Sequence, residues 1–284
     1  MSIPDRGLQT YFLVNQRRVP SILYGTAWKE DATARCVTDA LKAGFRGIDT
    51  ANQRKHYFEE GIRGPITDFM HHLGEPLFLQ TKFTYPRGQD HRLPYSPSAD
   101  ARTQVRQSFE SSLLHLGVSH IDSLLLHGPE YGEGLSTTDW VVWRAMEELH
   151  SEQRVDFVGI SNASAAQLEL LVRGAEVRPT FVQNRCYASA GWDEAVRAVC
   201  REHGIVYQGF SLLTANRQVW NSTAVAAIAE RRARTPAQIV LRFAQHLGIL
   251  PITGTTDPVH MREDLQGFEF RLSADECETL ARLA

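Results

Sequence analysis

Three short apolar runs in the first half of this chain each end in one ionisable side chain: FRGIDT delivers Asp49, LFLQTKF delivers Lys82 and IDSLLLHG delivers His127. A carboxylate, an ammonium and an imidazole brought together can hold a proton-transfer group at a shifted pKa. Taken singly, each has an ordinary structural use: Asp49 as a strand-end polar group, Lys82 as a buried ion-pair partner, His127 as a core histidine on a carbonyl. What points to chemistry is their recurrence at the ends of strand-like runs, because the C-terminal rim of a parallel α/β barrel is where catalytic groups collect.

The elements that must position them follow from periodicity. After a hairpin-like YFLVNQRRVP come eight strand-like runs: SILYGTA, FRGIDT, LFLQTKF, IDSLLLHG, VDFVGISN, TFVQNRC, IVYQGFS and GILPITG. Amphipathic helical stretches separate them, among them TARCVTDALKAG, EEGIRGPITDFMHHLG, SADARTQVRQSFESSLLHLG and WDEAVRAVCREHG, several closing on the glycine that commonly stops a helix. The alternation predicts a (β/α)8 TIM barrel with an N-terminal β-hairpin and extra helices, as a single domain over residues 1–284. Thr235 before Pro236 has the cap-then-proline order of a helix start, so Asn221 to Gly248 should hold two helices. Ser273 with Glu276 three residues on is a capping-box pattern and predicts a short final helix. The long, turn-rich TYPRGQDHRLPYSPSAD after the third strand is expected to shape a substrate pocket.

Composition narrows the class. A chain of 284 residues, 43% hydrophobic and 22% charged, suits one barrel. A formal net charge of −3 gives no electrostatic reason to expect nucleic acid or an anionic membrane as partner. Arg231, Arg232 and Arg234 read as a solvated helix end. The opening MSIPDRGLQT lacks the charged and apolar regions of a signal peptide, and no window approaches a membrane-spanning length, so a cytoplasmic protein is expected. Cys36, Cys186, Cys200 and Cys277 lie far apart with no CxxC, which predicts reduced, mostly buried thiols and no metal site.

The constellation lacks a proton donor. An acid serving a developing alkoxide near neutral pH needs a pKa below the value of about 10 of a free tyrosine, and an ammonium beside a phenol supplies such a shift. Asp49 could balance Lys82, and the run DTANQRKHYFEEG contains Tyr57.

With Tyr57 in place, the order of motifs from Gly25 to Asp264 resembles the aldo-keto reductases: DTA, a tyrosine followed by Glu60 and Gly64, TK, LLLHGP, GISN, a strand ending in QN, FS and a PxxGT loop. The resemblance implies reduction of an aldehyde or ketone by a nicotinamide cofactor, with a tetrad of Asp49, Tyr57, Lys82 and His127. Tyr57 would be the general acid, Lys82 would lower its pKa and His127 would orient the carbonyl. It further implies that Ser161, Asn162 and Gln183 hold the nicotinamide carboxamide and that Phe210 stacks on its ring. Ser211 and Leu213 would form a pyrophosphate clasp, Gly254, Thr255 and Thr256 a phosphate loop, and His260, Glu263 and Asp264 the adenine side. Trp28 and Phe83 are the expected walls of an apolar substrate pocket, and no metal is implied.

Two departures from the family pattern stand out. Tyr57 follows Asp49 by eight residues where five is usual, and Arg54 holds the usual place; a three-residue insertion explains this, while His56 or Lys55 remain alternative proton-transfer groups. The lysine and arginine that often hold a 2′-phosphate are unmatched, leaving Thr253 and His260 there, with Arg217 or Arg262 as substitutes. NADP (NADPH) is the implied cofactor, with NAD as the alternative. The short C-terminal tail predicts an open pocket. Two other classes stay open: a Schiff-base lyase using Lys82, and a nicotinamide-binding regulatory barrel without turnover. Monomer and dimer are both compatible with the sequence.

Overall fold

Asn15 and Gln16 stand at φ +47° and +66°, the pair of left-handed residues that a two-residue hairpin turn requires. In this computed structural model, which describes residues 11–283, they join β1 (Tyr11–Val14) to β2 (Arg17–Pro20), with Val14 opposite Arg17. MSIPDRGLQT lies outside the described residues. Phe12, Val14 and Val19 of the hairpin pack on Leu23, Phe78, Phe157, Phe181, Val206 and Leu250, which stand at or near the starts of barrel strands. The hairpin thereby plugs the N-terminal end of the barrel.

Eight parallel strands close that barrel: β3 (Leu23–Gly25), β4 (Gly47–Asp49), β5 (Phe78–Phe83), β6 (Ile121–Leu126), β7 (Val155–Ser161), β8 (Phe181–Arg185), β9 (Val206–Phe210) and β10 (Leu250–Thr253), which pairs with both β9 and β3. All eight expected runs supply a strand, but SILYGTA and FRGIDT pair over only three residues each.

The crossover helices are α1 (Thr33–Ala43), α2 (Glu60–Leu73), α3 (Ala101–Leu116), α4 (Thr137–Ser151), α5 (Ala165–Gly174) and α6 (Glu194–His203). The seventh crossover is longer and carries α7 (Arg217–Trp220) and, within Asn221 to Gly248, the two expected helices α8 (Thr223–Arg232) and α9 (Pro236–His246). Thr235 and Gln238 form a reciprocal capping box at α9, and Ser273 and Glu276 form another at α11 (Ala274–Ala281); such caps contribute about 1 kcal/mol each. Between the last two lies α10 (Pro258–Gln266), absent from the expected helices although Asp257 and Pro258 supply a cap and an N1 proline. The large side chains of Tyr24, Phe45, Phe109, Trp143 and Phe243 fill the layer between strands and helices.

One surface expectation is corrected. Arg231 and Arg232 are not simply solvated: both reach Glu276, Arg232 at 2.7 Å, and Arg234 reaches Glu269 at 3.6 Å, so the end of α8 is tied to α11 and the segment before it. The four cysteines are buried and unbridged. Among the described residues no helix is long and apolar enough to cross a membrane.

Candidate active site

Successive side chains of a strand alternate between its faces. Gln80 and Lys82 of β5 therefore share the face that looks into the barrel, where Asp49, Ser123, Gln183 and Gln208 join them in one buried polar layer. Gln80 Nε2 donates to Asp49 Oδ1 at 2.7 Å and to Gln208 Oε1 at 2.8 Å, and Ser123 Oγ donates to Gln80 Oε1 at 2.9 Å. Lys82 Nζ donates to Asp49 Oδ1 at 2.7 Å, to Asp49 Oδ2 at 2.8 Å and to the Thr50 carbonyl at 2.8 Å. An ammonium has three donors, and all three are engaged. Burial pushes Lys82 below its ordinary value while the Asp49 carboxylate opposes that shift.

Tyr57 reaches this layer through a local device that absorbs the longer spacing. The carbonyl of Gln53 accepts from the N–H of His56 at 3.1 Å and of Tyr57 at 3.0 Å, so the chain makes an extra turn between Asp49 and the phenol. Gln53 Nε2 anchors the turn on the Gly88 carbonyl at 2.6 Å, and Trp28 N–H donates to the His56 carbonyl at 2.7 Å. Lys82 Nζ lies 5.4 Å from the centroid of the Tyr57 ring, and the ring meets His127 edge-on at 6.0 Å. Of the alternative proton-transfer groups, Lys55 is exposed, while His56 stacks on Trp28 at 3.7 Å and is held below its ordinary value by burial and by Lys55. The phenol itself departs from expectation: burial and the negative charge of Asp49 raise it, because Lys82 is already balanced by that carboxylate. Tyr57 is accordingly a protonated phenol, the form a general acid starts from, but the lowering by Lys82 expected from the sequence is not present in this site.

His127, at the end of β6, places Nδ1 2.6 Å from Thr84 Oγ1. Burial and the positive charges of Lys82 and His56 push it down to about 3, so the imidazole is neutral at physiological pH. Its backbone carbonyl accepts from Asn162 Nδ2 at 2.8 Å, with Asn162 at φ +53°.

The residues expected around a nicotinamide lie on one side of the layer. Ser161 Oγ donates to the Gln183 carbonyl at 2.6 Å and accepts from Asn162 Nδ2 at 3.2 Å. Gln183 is 3% exposed and spends its amide donors on Asp49 at 2.9 Å and Gln208 at 3.0 Å, which makes it a member of the polar layer first. Phe210 ends β9 with the Arg185 guanidinium 5.5 Å above its ring. Ser211 follows at φ +58°, and Leu213 is half-buried beyond it.

On the far side, the Gly254 carbonyl accepts from Lys29 Nζ at 2.8 Å, the Thr255 carbonyl accepts from Tyr24 Oη at 2.8 Å, and Thr256 is exposed. His260 is exposed and Glu263 partly so, but Asp264 turns inward to accept from Thr253 Oγ1 at 2.6 Å, and burial raises its carboxyl to about 6. Arg217 and Arg262 are exposed.

Sequence reasoning missed Lys29. Only 7% exposed, it has no carboxylate within ion-pair distance among the described residues, and burial lowers it. Barrel closure was the available signal: β10 lies beside β3, so the residues just past Gly25 meet the loop beginning at Gly254.

A cavity of about 680 Å3 opens at the rim beside His127, lined by Gln53, Thr84, Arg87, His127, Asn162 and Arg185 among others. The expected apolar walls are corrected here. Phe83 follows Lys82 and so faces away from the barrel interior; it is 1% exposed and packs on Tyr85 and Tyr95 in the core. Trp28 is 70% exposed and does not line this cavity, whose wall is mixed polar and apolar.

The family described as "Aldo/keto reductase family" matches residues 22–284. An aldo-keto reductase of Mycolicibacterium vanbaalenii is 30% identical over 96% of this chain and 91% of its own. An NAD(P)H-dependent D-xylose reductase of Pachysolen tannophilus is 27% identical over 97% of this chain and 93% of its own. A solved aldo/keto reductase from Brucella melitensis superposes with a TM-score of 0.82 at 27% identity, covering 96% and 97% of the two chains.

Proposed function

The chain belongs to the aldo/keto reductase family, and from that premise we propose that it is an enzyme reducing a small-molecule aldehyde or ketone to the alcohol with NADPH. The observation that carries the proposal is the convergence of a buried Lys82–Asp49 pair, a protonated phenol and a neutral imidazole at the C-terminal rim of the barrel, where His127 lines the cavity described above and Tyr57 lines another that shares Gln53 with it.

The residues present fit a dinucleotide. Ser161, Asn162 and Phe210 would flank the nicotinamide, Ser211, Leu213 and the 254–256 loop would hold the phosphates, and His260 and Glu263 would face the adenine. The uncompensated ammonium of Lys29 beside Gly254 supplies the missing cation. When bound, the reduced cofactor supplies the hydride. The carbonyl oxygen would sit between Tyr57, which gives its phenolic proton to the developing alkoxide, and His127, which donates a hydrogen bond and fixes the orientation. Lys82 and Asp49 hold the electrostatic field beneath the phenol.

The lyase alternative loses ground because Lys82 is fully buried with every N–H engaged, so no carbonyl carbon reaches its nitrogen. The test is titration of the purified protein with NADPH and NADH, followed by cofactor oxidation with a panel of aldehydes and ketones. Saturable NADPH binding with turnover supports the proposal. Binding without turnover would favour a regulatory barrel, and a borohydride-trapped adduct on Lys82 would favour the lyase.

A further inference from the structure

A neutral histidine can face a carbonyl oxygen in two ways. With its hydrogen on Nε2 it donates to the oxygen; with the hydrogen on Nδ1 it presents a lone pair and repels it. The ring by itself favours Nε2–H only weakly, so both forms are accessible without a fixed partner. The choice is made by the partner on the other nitrogen.

We infer that Thr84 is the positioning residue that fixes His127 as its Nε2–H tautomer; as a statement about catalysis, this rests on the carbonyl-reductase reading above. Thr84 Oγ1 lies 2.6 Å from His127 Nδ1. Thr84 is 5% exposed, and no other hydrogen bond engages its hydroxyl among the described residues. A buried hydroxyl whose proton has a single acceptor in reach gives it to that acceptor, because an unpaired buried donor is costly. The O–H therefore points at Nδ1, which must be the bare nitrogen, and the one ring hydrogen of the neutral imidazole is left on Nε2.

The backbone that carries this side chain is anchored, and its methyl is packed. The Thr84 carbonyl accepts from Tyr95 Oη at 2.7 Å, and Gln89 Nε2 lies 3.5 Å from the same oxygen while holding the Asn52 carbonyl at 2.7 Å. The Thr84 methyl packs on Gly88 so closely that a Cβ there would stand 2.7 Å from it. Gly88 thus leaves room for the rotamer that aims the hydroxyl at the imidazole.

The test reads the tautomer directly, by two-bond 1H–15N NMR correlation on protein carrying 15N-histidine, unliganded and at neutral pH. The His127 signals are identified by their loss in His127→Asn. Wild type should show one tautomer with the hydrogen on Nε2, and Thr84→Ser should show the same. Thr84→Val, of equal shape without the hydroxyl, should show a mixture, and Gly88→Ala should reproduce it by pushing the hydroxyl aside. In turnover, Thr84→Val should lose about tenfold in kcat with NADPH affinity within twofold, and Thr84→Ser should recover most of it. An Nδ1–H tautomer in wild type, or an unchanged Nε2–H tautomer in both Thr84→Val and Gly88→Ala, would overturn the inference. Because the tautomer is read without cofactor or substrate, absence of carbonyl turnover would count against the reductase reading and leave this result standing on its own.

Discussion

Lys82 Nζ meets both carboxylate oxygens of Asp49, at 2.7 and 2.8 Å, in a part of the barrel where the lysine is 0% and the aspartate 3% exposed. Such a pair is held by its geometry, and removing one member strands the other charge in the interior. Asp49→Asn is predicted to cost about 3 kcal/mol of stability in denaturant unfolding. The Asp49→Asn/Lys82→Met double variant should be less destabilised than Asp49→Asn, since neither buried charge then remains unpaired. A double variant worse than the single one would mean that the pair contributes attraction beyond mutual neutralisation.

The neutral imidazole of His127 has a consequence for pH. Its value falls from an ordinary 6.5 to about 3, so it stays unprotonated until far below neutrality. For carbonyl reduction, kcat/KM should therefore show no inflection from His127 between about pH 5 and pH 8. The same shift weakens the fold in acid: below pH 6.5 the unfolded chain takes up a proton that the folded chain refuses until about pH 3, so stability declines as pH falls through that window. His127→Asn should reduce the decline, which thermal unfolding across pH 4 to 7 would measure.

Much of this was legible in the sequence, for reasons that can be named. Eight apolar runs of strand length gave the barrel, and the capping pairs Thr235–Gln238 and Ser273–Glu276 gave two helix starts, because both signals depend only on neighbours in the chain. Asp49, Lys82 and His127 were legible because strand ends of a barrel meet. Phe83 was misread although strand alternation argues against it: next to an inward Lys82 it must face the helices. Asp264 and Gln183 point into buried partners, Thr253 and the polar layer, that no local pattern announces. Lys29 needs barrel closure, the longest-range contact of the fold, to become visible.

Lys29 carries its own prediction. A buried ammonium without a counter-ion beside a phosphate loop gains most when an anion arrives, and charge-assisted hydrogen bonds contribute about 1.5–3 kcal/mol. Lys29→Met should raise the NADPH dissociation constant about tenfold or more while leaving the unliganded protein as stable or more so. Fluorescence titration and thermal unfolding measure the two effects.

The cavity wall bears on substrate choice. Arg87 and Arg185 both line it, and Arg185 is exposed at its edge above Phe210. A substrate carrying a carboxylate should be favoured over a neutral one of the same size. With 4-carboxybenzaldehyde against 4-methylbenzaldehyde, kcat/KM should differ by about tenfold, and Arg185→Met should remove most of the difference by raising KM for the acid alone. Equal values for the two aldehydes in wild type would show that the arginines serve something other than substrate charge.

The central claim is that the phenol of Tyr57 delivers the proton, and single-turnover carbonyl reduction by NADPH-loaded Tyr57→Phe tests it most directly. General acids contribute about 100- to 10,000-fold. The expected result is a loss of at least about 100-fold in the reduction rate, with NADPH affinity within twofold of wild type. A rate close to wild type would contradict it and remove Tyr57 from the mechanism.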